Sequence, residues 1–145
     1  MPTPRGADTV PDVVALLTAM ASLESKREFI VAETGTLKFG EVVARLPRLT
    51  GVFADVGLAP GARVVLATDD DLALATIFIA LLRNGITAVV LNPEVRATEL
   101  ARLVDAADPA ALILDSRLLE RLLPEHRARL PILRIDAAAP GDAYP

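Results

Sequence analysis

Three adjacent carboxylates, Asp69-Asp70-Asp71, stand just beyond an apolar run that ends at Ala67. Ligands in open α/β sheets bind outside the carboxyl ends of the strands, so an acidic Mg²⁺ site is one reading. Helix capping is the other, because Asp caps free N–H groups and favours the positive end of the helix dipole. Capping is preferred, since it needs no partner from elsewhere in the chain. His126 is the sole histidine. It would act as a general base only with a nucleophile and an orienting carboxylate around it. Beside Pro124, Glu125 and Arg127 at a helix end, it reads as a surface side chain. Asn92 closes a strand at its carboxyl edge. Its amide either bonds a ligand or ties down the backbone where Pro93 breaks the ladder, and the structural role is preferred. Arg117, Arg121, Arg127 and Arg129 spread along one helix and its end, and read as a solvated face.

Other chemistries are missing from the chain. Its internal glycines, at 35, 40, 51, 57, 61 and 85, are dispersed. Neither G-x-G-x-x-G nor G-x-x-x-x-G-K-[ST] occurs, so no glycine-rich phosphate cradle is written here. There is no G-x-S-x-G. The absence of cysteine excludes disulfides and thiolate metal sites and fits a reducing compartment. The net charge of −4, one Tyr, four Phe and no Trp argue against nucleic acid as a partner. The leading MPTPRGADTVPD has no apolar signal core. The longest apolar run, Leu72 to Leu82, is too short to span a bilayer and reads as a buried helix. A cytoplasmic location is therefore expected. A mean hydropathy of +0.44 is high for such a protein. It predicts apolar surface facing another domain or subunit, including a homo-oligomer.

The elements that must position these residues follow from periodicity. Val13, Leu16, Leu17, Met20 and Leu23 give a helix over 11–23, with Thr9 and Asp12 capping-box-like and Pro11 in the first turn. EFIVAETGTLKF reads as a hairpin about Glu33-Thr34-Gly35. Val42, Leu46, Leu49, Phe53 and Val56 form the stripe of a helix over 39–57, with Pro47 inside it at a cost of roughly 3 kcal/mol and a kink. Gly57 ends that helix, and residues 58–61 turn.

From there strands and helices alternate. Strands are expected at 63–67, 86–91, 110–114 and 132–135. Helices are expected at 70–84, 97–107 and 117–126. This rhythm means an α/β fold with βαβ crossovers and a parallel sheet, helices on both faces, preceded by a helix and a hairpin. The run 86–91, stopped by Pro93, reads as a central strand buried on both faces. Residues 1–8 are expected to be disordered, 9–136 to form one segment of a domain, and 137–145, without pattern, to be a tail or linker.

Several pieces in order carry a resemblance. They are Lys38-Phe39-Gly40-Glu41-Val42 at a helix start, and Gly57-Leu58-Ala59-Pro60-Gly61-Ala62-Arg63-Val64 turning into a strand. Arg83-Asn84-Gly85 then closes a helix, and Leu91-Asn92-Pro93 closes the next strand. Together with TVPDVVALL, IVAETGTL and AALILDS, these resemble the start of AMP-forming acyl- and aryl-CoA synthetases, members of the ANL adenylate-forming superfamily. The resemblance spans about residues 9 to 136. Asp69-Asp70-Asp71 replaces the family's Pro-Asn-Ser, and Pro47 stands where Asn is frequent. Glu94 stands where many members carry an Arg thought to reach CoA phosphates. Arg96 is the substitute candidate for that CoA contact. Arg96 also takes a frequent Ser/Thr cap position, leaving Thr98 as a poorer cap.

The resemblance implies a parent enzyme of several hundred residues that uses ATP, Mg²⁺ and CoA. A carboxylic acid would attack the ATP α-phosphate to give an acyl-adenylate, and CoA thiolate would then displace AMP. The family's phosphate loop, adenine and ribose contacts and catalytic lysine all belong to downstream sequence. This chain is thus expected to be an N-terminal segment, inactive and without cofactor alone, whose partner is the missing downstream part. An adenylation or luciferase-like enzyme that does not use CoA would share the same segment. A phospho-receiver-like signalling domain is a second class, suggested by Asp69-Asp70-Asp71 with Asp115 after a later strand. Against it, no lysine follows Lys38. An inert assembly partner of a split enzyme is a third.

Overall fold

The computed structural model describes residues 12–135. The expected disordered start at 1–8, Thr9, Pro11 and the tail at 137–145 lie outside these residues. Helix α1 (Val13–Leu23) opens with Asp12 as its cap, its carboxylate accepting the Ala15 N–H at 2.7 Å. Strands β1 (Glu28–Ala32) and β2 (Gly35–Lys38) form the expected antiparallel hairpin. Phe29 stacks on Phe39 across its open end, with ring centroids 4.4 Å apart.

Helix α2 (Phe39–Asp55) begins where Glu41 reaches back to accept the Lys38 N–H at 2.7 Å, and it runs unbroken through Pro47. Its stripe of Val42, Leu46, Leu49 and Phe53 is buried. That burial holds the helix across a residue that removes one of its own hydrogen bonds. Gly57 then stops it. With φ at +76°, Gly57 lets its own N–H reach Ala54 and the Leu58 N–H reach Phe53, closing both orphan carbonyls.

The rest of the described chain is a parallel four-stranded sheet in the order β4-β3-β5-β6. Its strands are β3 (Arg63–Ala67), β4 (Thr87–Val90), β5 (Ala111–Asp115) and β6 (Ile132–Ile135). Side chains of β3 and β5 alternate between two cores. Val64, Leu66, Ala111 and Ile113 join α1, α2 and α3 (Asp71–Arg83) on one face. Val65, Ala67, Leu112 and Leu114 join α4 (Ala97–Ala107) and α5 (Ser116–Arg121) on the other. Two-sided burial explains why these strands read as unbroken apolar runs.

Two expectations are corrected here. β4 lies at the edge of the described sheet, not at its centre, and its end residues Thr87 and Val90 are exposed. An apolar run records burial by helices on each face but says nothing of rank within a sheet. The helix expected over 117–126 is two short ones, α5 and α6 (Pro124–Arg129), because Leu122 and Leu123 turn extended ahead of Pro124. The residue before a proline avoids helical ψ, and Pro124 restarts the helix at its first position.

Candidate functional site

The order in which strands are laid down switches sides between the parallel strands β3 and β5. From β3 the chain passes through α3 to β4 on one side. From β5 it passes through α5 and α6 to β6 on the other. The crevice outside the carboxyl ends of those two strands is the place where open α/β sheets bind ligands. Here Thr68-Asp69-Asp70 faces Asp115-Ser116-Arg117.

Each of these groups is already engaged. Asp70 caps α3, accepting the Ala73 N–H at 3.0 Å, while its own N–H donates to the buried Thr68 hydroxyl at 3.1 Å. Asp115 is buried and caps α5 through the Leu118 N–H at 3.2 Å. Its second oxygen accepts the Asp69 N–H at 3.4 Å, tying the two strand ends together. Arg117 pairs with Asp69 across the mouth. Asp71 is exposed in the first turn of α3. Among the described residues no group of three or more His, Asp or Glu is placed to hold a metal ion. Carboxylates occupy the helix starts that would otherwise receive a phosphate. The carboxylates here serve as two helix caps and one half-exposed ion pair across the crevice.

The stop after β4 is also structural. Asn92 accepts the Glu94 N–H on its side chain at 2.9 Å and the Val95 N–H on its carbonyl at 3.1 Å. From α5, Arg121 donates to the carbonyls of Pro93 at 3.1 Å and Val95 at 3.0 Å. Arg96 stands exposed at the cap position of α4 and makes no side-chain cap bond. It is the one sequence-nominated binding residue with a head group left available at this loop.

His126 departs from expectation. It is 2% exposed, not on the surface, and its Nε2 lies 2.8 Å from the Asp105 carboxylate on α4. Its Nδ1 is buried without a partner. Arg129 approaches the same carboxylate at 4.0 Å. The orienting carboxylate is thus present, and the pair ties α6 to α4. Leu118 and Leu122 precede His126 at successive four-residue steps and are buried; that spacing was the available signal. Arg117, Arg127 and Arg129 are exposed, as expected of a solvated face, and Arg121 is half-buried. Arg117 pairs with Asp69, Arg121 clamps the 93–95 loop, and Arg127 donates to the Leu119 carbonyl. Their partners lie on other elements or outside the helical repeat.

A sequence profile described as AMP-binding enzyme matches residues 17–144. The p-hydroxybenzoic acid–AMP ligase FadD22 of Mycobacterium tuberculosis is 31% identical over 108 residues, which are 73% of this chain and 15% of that protein. The crystal structure of VinN superposes with a TM-score of 0.75 at 23% identity, over 86% of this chain and 32% of VinN. A benzoate CoA ligase from Burkholderia xenovorans LB400 superposes with a TM-score of 0.70 at 20% identity, over 83% of this chain and 24% of that one.

Proposed function

The chain belongs to the AMP-binding enzyme family, as an N-terminal part of the adenylate-forming ligase fold, and from that premise we propose that it is a scaffold section of an ATP-dependent carboxylate–CoA ligase and inactive alone. The observation that supports this reading is the family match over residues 17–144, nearly the full chain. The residues present do not suit ATP or Mg²⁺. Asp69, Asp70 and Asp115 are committed to an ion pair and two caps, and no metal-holding group stands among the described residues. No step of adenylate formation is therefore assigned to this chain.

What its residues do is positional. β3 and β5 set the sheet, Asp115 locks their ends, and Arg121 fixes the turn that presents Arg96. We assign Arg96 a CoA phosphate contact: its side chain is exposed at the start of α4, next to the loop whose carbonyls Arg121 holds. The acid activated is a carboxylic acid, as in FadD22, and the location is cytoplasmic. No helix of the described residues is long and apolar enough to cross a membrane.

The test is pyrophosphate exchange and ATP calorimetry on the purified 145-residue chain. Neither exchange nor ATP binding is expected. Exchange catalysed by the chain alone, or tight ATP binding, would overturn the reading.

A further inference from the structure

The chain carries two asparagines and no glutamine, and the two asparagines precede opposite kinds of neighbour. Asn92 stands before Pro93, whose backbone nitrogen has no proton to lose. Asn84 stands before Gly85, which has no side chain to shield its nitrogen. In such a pair the glycine nitrogen can attack the asparagine side chain. The Gly85 nitrogen gives its proton to a base and bonds to Asn84 Cγ. The amide leaves as ammonia, and a five-membered imide remains. Water then opens the imide at either carbonyl, leaving aspartate or isoaspartate at position 84. Water enters and ammonia departs, with no oxidation or reduction.

Burial does not protect this pair, because Gly85 is exposed and Asn84 half-buried; hydrogen bonds do. Gly85, at φ +66°, closes α3 in a Schellman turn. Its N–H donates to the Leu82 carbonyl at 3.1 Å, and the Ile86 N–H donates to the Leu81 carbonyl at 3.0 Å. The Gly85 carbonyl accepts the Gly61 N–H at 2.8 Å, which pins the residue from its other side. The Asn84 side-chain amide donates to the Ala80 carbonyl at 2.7 Å and to the Thr50 hydroxyl of α2 at 3.0 Å. Imide closure needs the Gly85 N–H released and the Asn84 side chain swung off both acceptors. The end of α3 must therefore unravel first. We propose that Asn84–Gly85 is the deamidation site of this chain, closed by the fold and opened when the end of α3 comes apart. Refolding does not undo the change. A carboxylate at 84 has no donor for the Ala80 carbonyl, and it sets a negative charge at the negative end of α3. Isoaspartate also lengthens the backbone within the turn. The modified residue thus accumulates with time spent unfolded.

The test holds the purified protein in mildly alkaline buffer, with and without guanidinium chloride. Samples are cut with pepsin in acid, where the reaction stops, and fragment masses place any change at 84 or 92. In denaturant, position 84 is expected to gain the mass of an amide-to-acid conversion and to appear as both aspartate and isoaspartate. Asn92 is expected to stay intact in the same samples. Without denaturant, conversion at 84 is expected to slow at least about tenfold, in proportion to how seldom the end of α3 opens. Equal rates in the two conditions overturn protection by the fold. An unchanged Asn84 in denaturant, or equal conversion at Asn92, overturns the site itself. In a second measurement, Asn84→Asp is compared with Asn84→Ala, which removes the same donors without adding charge. The Asp variant is expected to unfold at the lower urea concentration. A midpoint equal to or above that of the Ala variant overturns the claim that deamidation damages the end of α3.

Discussion

At the scale of residues, several charged side chains of this chain fasten backbone. Asp12, Asp70 and Asp115 each occupy a helix start, and a carboxylate there satisfies N–H groups that the helix cannot. Arg121 does the converse, supplying donors to two carbonyls that Pro93 and the following turn leave outside any ladder. Bonds from a charged donor contribute more than neutral ones, so Arg121→Ala is expected to cost about 1–2 kcal/mol in urea unfolding. Hydrogen exchange at the Val95 amide, whose acceptor is the Asn92 carbonyl, is expected to quicken in the same variant. The caps at Asp70 and Asn92 were legible because their partners are two or three positions away. The clamp of Arg121 was not: its acceptors lie 26 and 28 positions back, and no local pattern encodes them. The same holds for His126 and Asp105, 21 positions apart.

At the scale of elements, periodicity found the strands and the longer helices of the described region and missed the split between α5 and α6. The break between α5 and α6 was written in Leu123-Pro124, and a stripe of Leu118, Leu122 and His126 running through it disguised the joint. Edge rank within the sheet leaves no mark in ITAVVL. Pro47 is the clearest contest between local and tertiary forces. It is exposed on α2, whose buried stripe includes Leu46 and Leu49 on either side. Proline in a helix interior costs about 3 kcal/mol relative to alanine. Pro47→Ala is expected to raise stability by about 1–3 kcal/mol, read as a shift in the urea midpoint at unchanged slope. A fall in stability would mean that the proline-shaped axis is what brings Val42 and Phe53 onto the same core.

At the scale of the whole molecule, one sheet separates two unequal environments. Its α4–α5 side ends in charged surface, whereas its α1–α3 side ends in exposed apolar groups. The common centre is β3, where Val64 to Ala67 are fully buried. Leu66→Ala is expected to cost about 2–5 kcal/mol, the range for a buried leucine that leaves a cavity. Thermal unfolding monitored by circular dichroism would register it. The fold class was legible because alternating elements admit few arrangements. The contacts at the crevice were legible only in part, because the ion pair of Asp69 with Arg117 joins residues 48 positions apart.

The outward rim of β4 has a consequence for the chain in the cell. Thr87 to Val90 present one side of their backbone with no partner strand among the described residues. Such a rim accepts any extended segment that reaches it, with little regard for sequence. A rim of this kind is a place where separate chains can join edge to edge and come out of solution.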